Sequence, residues 1–204
     1  MSMILELHTV SDANLARVLA DPPLVWKVVS PDDDGMYEAA RAEAGVAETG
    51  FFQRLFGRPA RAKAPAVEFP LAPGEVEATD LDKAWHGIHY MLTGTAWEGV
   101  PPLNFLMHGG AVIGEVEVGY GPARGMTAAE VKVVAGALTG IDETFMRARF
   151  DPAQMTRLDI YPGIWDRDPA EDDSLGYCLE YFGTLRAFVM RAAERDAGLI
   201  ISLT

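Results

Sequence analysis

The sequence predicts an α+β fold: a single domain with a small mixed or antiparallel sheet that includes the N- and C-terminal strands and is packed by several helices. Three observations carry this. Short strand-like runs stand near both ends, at 3–10 and 199–203, with helical periodicity through much of the chain between them. Regular β-α-β alternation and a Gly-rich phosphate turn are both missing. A length of 204 residues suits one substantial core, and 49% hydrophobic with 23% charged residues is the composition of a folded chain. The terminal strands are expected to be neighbours in one sheet, covered by helices on one side.

Ile4, Leu5, Leu7 and Val10 alternate weakly in the first strand, and Ser11-Asp12 then caps a helix carrying Leu15, Val18 and Leu19. Pro22-Pro23 ends that helix and opens another through Leu24, Val25, Val28 and Val29, before a loop at 30–35. Helix resumes near Met36 and runs to about Val46. The next stretch changes character. Arg54, Arg58, Arg61 and Lys63 supply four bases within ten residues, and prolines recur at 59, 65, 70 and 73. It reads as an amphipathic turn at 51–56 leading into a linker or insertion that spans about 51–77 of the 1–204 domain. Phe51, Phe52, Leu55 and Phe56 either dock an acidic or apolar partner or fold back on the core, and the second is favoured because soluble monomers rarely expose a large apolar patch.

Residues 80–93 read as a helix with Leu81, Ala84, Trp85, Ile88, Met91 and Leu92 on one apolar stripe and Asp82, His86, His89 and Thr93 along its edge. Gly94 is its natural stop. The chain to Gly114 is loop-rich, with a short strand at 112–118. Thr127-Ala-Ala-Glu130 is a capping box for a helix through Val131, Val134, Ala135 and Leu138 that ends at Gly140. A short helix follows at 142–149. Asp173 or Ser174 caps a long helix to about Arg195, and Gly198 turns the chain into the last strand.

Asp82, His86 and His89 have helical spacings that bring an acid and two imidazoles together, the donor types of a transition-metal site. The zincin pattern H-E-x-x-H needs histidines four apart, however, whereas these are three apart with no acid between them. No metal and no cofactor is therefore expected, and a polar border with Asp82 orienting His86 is the plainer reading. Gly87 in mid-helix costs about 1 kcal/mol relative to alanine, so a ligand or a packing helix is expected close to its backbone. In Gly119-Tyr120-Gly121-Pro122-Ala123-Arg124-Gly125, glycines frame Tyr120 and Arg124. Arg124 either anchors a carboxylate or phosphate or pairs with an internal acid, the latter preferred. Tyr161-Pro162-Gly163-Ile164-Trp165 has the Pro-Gly pair of a type II turn, and its aromatics either wall a pocket or pack in the core. His8 and His108 read as structural, and no nucleophile elbow occurs. The candidate pocket residues are thus Asp82, Trp85, His86, His89, Tyr120, Arg124, Tyr161 and Trp165, with no residue assigned as catalytic.

The 81–94 segment, Gly-Tyr-Gly-Pro-Ala-Arg at 119–124 and Tyr-Pro-Gly-Ile-Trp at 161–165, in this order, resemble the bacterial YfbM-like family, a domain-of-unknown-function family numbered 1877. The resemblance spans most of the chain. It implies a compact α+β domain from a bacterium and brings no activity with it. Residues 51–77 fit the pattern poorly, so no role is carried over to them.

Thirty acids against 17 bases give a formal charge of −13, which repels phosphate backbones and argues against direct nucleic-acid binding. Cys178 is the single cysteine, so no intramolecular disulfide forms, and its apolar neighbours suit a buried thiol. No signal peptide and no membrane-length apolar run is seen, which makes the cytoplasm the expected location. Two functions stay open. The first is a non-enzymatic binding or protein-interaction domain, immunity-like in using acidic surface to mask a basic partner. The alternative is a small-molecule or metal-dependent enzyme with a pocket near Asp82, His86, His89 and Arg124. The second requires Arg124 and the two histidines to open into one pocket.

Overall fold

A computed structural model of the chain describes residues 2–49, 68–168 and 170–204. Five strands among them form one antiparallel sheet in the order β2-β1-β5-β4-β3. These are β1 (Leu5–Val10), β2 (Ala78–Asp80), β3 (Ala111–Gly119), β4 (Gly121–Met126) and β5 (Gly198–Leu203). The terminal strands are neighbours, in register from Leu5 opposite Leu203 to Val10 opposite Gly198. Ile4 and Thr204 extend the ladder, each amide donating to the other's carbonyl at 2.7 and 2.8 Å.

Helices cover both faces of this sheet, not one. Alternation along β1 and β5 sends Leu5, Leu7, Leu199 and Ile201 to one side and Val10 and Ile200 to the other. The first set packs with α4 (Trp85–Thr93), α6 (Ala128–Thr139) and α9 (Ser174–Glu194) in the larger core. The second packs with Leu15 and Val18 of α1 (Asp12–Ala20), with Leu24 and Val25 of a 3-10 turn at Pro22–Val25, with Val28 of α2 (Trp26–Val29), and with Tyr37 of α3 (Asp34–Thr49). The near-continuous apolar run Leu199-Ile200-Ile201 in the central strand is the sequence counterpart of a sheet buried on both sides.

Local signals mostly found their elements. Thr127 and Glu130 form the capping box of α6, and Asp173 caps α9 by accepting from the Gly176 amide. Helix α7 (Glu143–Arg149) is capped by Asp142, and α8 (Pro152–Arg157) by Asp151. A single helical turn, α5 (Phe105–His108), interrupts the loop after α4. Strand β3 is longer than expected because a register shift between Val112 and Glu117 lets the pairing resume after a break. The 161–165 turn also differs. Gly163 donates to the Ile160 carbonyl at 3.0 Å, so Tyr161 and Pro162, joined by a cis peptide, are the central residues in place of a Pro-Gly type II turn.

The amphipathic 51–56 turn, Phe51, Phe52, Leu55 and Phe56, and the bases Arg54, Arg58, Arg61 and Lys63 lie outside the described residues. The far end of the expected linker is anchored. Glu75 is buried and accepts from the Ser11 amide at 2.5 Å and the Asn14 side chain at 2.9 Å. Burial alone would raise its carboxyl, but hydrogen bonds from Ser11, Ala72 and Asn14 outweigh that and hold it below its ordinary value.

Candidate functional site

Helix α4 begins at Trp85, three residues later than Asp82, because the chain enters through a tight turn. Asp82 takes a left-handed φ of +40°, and its amide donates to Asp80 Oδ1 at 2.9 Å. Its carboxylate accepts from the Tyr177 hydroxyl of α9 at 2.8 Å, and the Tyr177 hydroxyl oxygen accepts from the Lys83 amide at 3.0 Å. Asp82 therefore bridges to α9 and does not orient His86. Burial and the adjacent Asp82 carboxylate push the Tyr177 phenol well up.

Every residue from Trp85 to Leu92 is buried, so the two histidines expected on a polar edge lie in the interior. His86 is 0% exposed and both of its ring nitrogens are engaged. Nδ1 accepts from the Tyr161 amide at 3.0 Å, which fixes the tautomer, and Nε2–H donates to the Ala96 carbonyl at 2.7 Å. Its ring stacks on Trp85, with centroids 4.7 Å apart and planes at 6°, and touches Trp97 at 4.4 Å. One imidazole thus ties the 161 turn to the loop after α4, and no lone pair is left for a metal. Burial lowers its pKa.

His89 is also 0% exposed, and neither ring nitrogen has a hydrogen-bond partner among the described residues. Burial, then the proximity of His86, pushes its pKa down to about 4; the nearby Glu98 backbone opposes the shift, while His108 and Arg124 add to it. It is a neutral core imidazole.

Arg124 has no acid partner among the described residues, contrary to the expected internal pair. It sits opposite Ile201 on the larger-core face of the sheet, and its guanidinium donates to Phe105 O at 3.2 Å, Gly109 O at 2.9 Å and Leu106 O. These carbonyls belong to the single turn α5 and its C-cap, where Phe105 O also accepts from the Gly109 amide at 2.9 Å. Burial lowers its pKa to about 10, so it remains charged at neutral pH. Tyr120 occupies the β3–β4 hairpin tip, 47% exposed, away from this set. Trp165 is a core residue whose indole N–H donates to Ile160 O at 2.6 Å. It also accounts for Gly87: a Cβ there would lie 2.6 Å from Trp165 Cη2 and 3.0 Å from Cys178 Sγ. The buried Cys178 thiol is pushed up to about 12, which keeps it protonated.

Of the eight candidates, Trp85, His86 and Tyr161 meet, joined by Trp97, which the sequence reading passed over. His89 lies near Arg124, while Asp82, Tyr120 and Trp165 go elsewhere. No group of three or more His, Cys, Asp or Glu placed to hold a metal occurs among the described residues.

An open cleft lies on the other side of the sheet. It has a volume of about 710 Å³ between the 3-10 turn with α2, helix α3 and the edge strand β3. Its floor is apolar: Pro22 and Trp26, Met36 and Ala40, and Val116. Its exposed rim carries Glu43, Glu115 and Glu117, and no base lines it among the described residues. The bases of the two flanking helices are already engaged, Lys27 with Asp34 and Arg41 with Asp21. Sequence reasoning missed this cleft because its three walls are distant in the chain.

A family model described as a domain of unknown function, DUF1877, matches residues 1–202. Among solved structures, the protein of unknown function YfbM from Escherichia coli is similar to this chain, with a TM-score of 0.61 and 14% identity over 98% of this chain and 99% of that one. At that identity the likeness shows the fold. No curated protein matches. No helix among the described residues is long and apolar enough to cross a membrane.

Proposed function

The chain belongs to the DUF1877 family, and we propose that it is a non-enzymatic interaction domain of the bacterial cytoplasm that docks a basic, amphipathic segment of a partner protein in the α3–β3 cleft. The observation that supports this reading is the pairing of an apolar floor with three acids at the rim. Burial of apolar side chains on Trp26, Met36 and Val116 supplies the attraction. Glu43, Glu115 and Glu117 select a positive partner and speed its approach, reinforced by the net charge of −13. An immunity-like role, masking a basic active surface, belongs to the same chemistry.

The enzymatic alternative drew on Asp82, His86, His89 and Arg124 opening into one pocket. Those groups are instead committed to Tyr177, to two backbone groups, to the core interior and to three carbonyls, so the support for it falls away.

Fluorescence anisotropy with a labelled Leu/Lys amphipathic helical peptide tests the proposal. The peptide is expected to bind the wild type, more weakly in high salt, and at least tenfold more weakly to a Glu115→Lys, Glu117→Lys double variant. A Glu180→Lys, Glu194→Lys variant makes the same change in net charge on α9 and is expected to retain most of the affinity. Equal loss in both variants, or no binding to the wild type, would overturn the reading.

A further inference from the structure

A second, smaller cleft of about 360 Å³ lies between Trp97 and Tyr161, with Met3, Ile160 and Asp159 completing it. Independently of the α3–β3 cleft, we propose that it binds a compact organic cation, an alkylammonium or guanidinium group held between the two aromatic rings with Asp159 as counter-ion. Trp97 is 53% exposed, whereas a tryptophan is ordinarily well buried. Its exposure does not come from a loose backbone. The Trp97 carbonyl accepts from His108 Nε2 at 2.6 Å, the Ala96 carbonyl from His86 Nε2 at 2.7 Å, and the Gly99 carbonyl from Asn104 Nδ2 at 3.0 Å.

The opposite wall is fixed as firmly. The Tyr161 amide donates to His86 Nδ1, and the Tyr161 hydroxyl oxygen accepts from the Met3 amide at 3.0 Å. Both walls lean on buried Trp85, whose ring centroid lies 6.2 Å from Trp97 and 5.9 Å from Tyr161. One imidazole therefore sets the position of both rings, and a ligand entering between them orders nothing further. Aromatic faces attract cations. Among the described residues, the one charged residue lining the slot is Asp159, exposed and held at a left-handed φ of +51°. It makes no ion pair among the described residues, and the neighbouring Arg157 gives its guanidinium to Gln154. Among the described residues, no base lines the slot to repel a cation.

The test is an NMR titration of the whole chain, following the Trp97 indole N–H, with choline and with its neutral isostere 3,3-dimethylbutan-1-ol. Choline is expected to give a saturable shift and the isostere to bind at least tenfold more weakly. Asp159→Asn keeps a side chain that tolerates the left-handed turn and is expected to weaken choline about tenfold with an unchanged melting temperature. A Gly-trimethyllysine-Gly tripeptide separates the source of the cation: tighter binding than choline assigns it to a protein side chain, weaker binding to a free small molecule, and both support the site. Equal binding of choline and isostere, an unmoved Trp97 resonance, or full affinity in Asp159→Asn would overturn the proposal.

Discussion

Helix α4 carries two histidines among aromatic residues and exposes neither, whereas the α3–β3 cleft is lined by no histidine or cysteine among the described residues and leaves Met36 of its apolar floor 39% exposed. The difference separates residue chemistry from residue placement. His86 spends both ring nitrogens on backbone groups 10 and 75 residues away in the chain, so it braces two loops instead of meeting a ligand. In the cleft, ordinary residues on three separate segments leave apolar area uncovered, and acids gather at its edge.

If α4 is a structural brace, damage there is paid in stability. Trp85→Ala is expected to show the largest effect, a loss of about 3–5 kcal/mol in denaturant unfolding, since the ring is fully buried and stacks with His86 and Tyr161. A change below about 1 kcal/mol would break the comparison, because it would mean that this region is as loosely packed as a binding surface.

Acid is expected to act on the same region and on β1. His8 and His89 are each held down to about 4 by burial, while in the unfolded chain they titrate near 6.5. The unfolded state therefore takes up protons first. Their contribution is complete above pH 6.5 and is lost as pH falls from 6.5 toward 4, by about 3 kcal/mol each at the lower end. Unfolding free energies measured across this window should decline, and His89→Leu should decline less steeply between pH 6.5 and 5. An unaltered slope in that variant would show that His89 takes up its proton equally in the folded and unfolded states, so that burial does not hold its pKa down.

Gly87→Ala sharpens the comparison, since two effects of opposite sign meet at one atom. Helix propensity gains about 1 kcal/mol. The added methyl meets the Trp165 ring, itself pinned to Ile160, and overpacking of this kind costs about 1–3 kcal/mol. The net result is expected to be a modest drop in melting temperature, and a rise would show that the Trp165 ring yields. Arg124→Lys is expected to cost a similar 1–3 kcal/mol, because one ammonium cannot span the Phe105, Leu106 and Gly109 carbonyls as the guanidinium does.

The legible parts of the fold were those written in adjacent residues. Caps at Ser11, Thr127 and Asp173, the stop at Gly94 and the apolar stripe of α9 each act within one or two turns of chain. The three-residue strand β2 is too short for a periodic signal, and the irregular pairing of β3 dilutes its alternation. The start of α4 at Trp85 depends on Tyr177, 95 residues from Asp82, so helical periodicity alone extended the helix too far. Coverage of both sheet faces also escaped, since an apolar stripe tells that a helix packs without telling against which face. The three motifs that named the family lie on the larger core's side, at the buried α4 and the 161 turn, or at the sheet hairpin. The cleft joins residues 22–26, 36–44 and 115–117 and has no local signature.

The most direct measurement of the central claim is a chemical-shift map of the isotope-labelled chain titrated with the Leu/Lys amphipathic peptide. Saturable changes are predicted at Trp26, Met36 and Val116, with His86, His89 and Arg124 unmoved because they lie on the larger-core side of the sheet, away from the cleft. Saturable binding that moves His86, His89 or Arg124 and leaves Trp26, Met36 and Val116 in place would contradict the account.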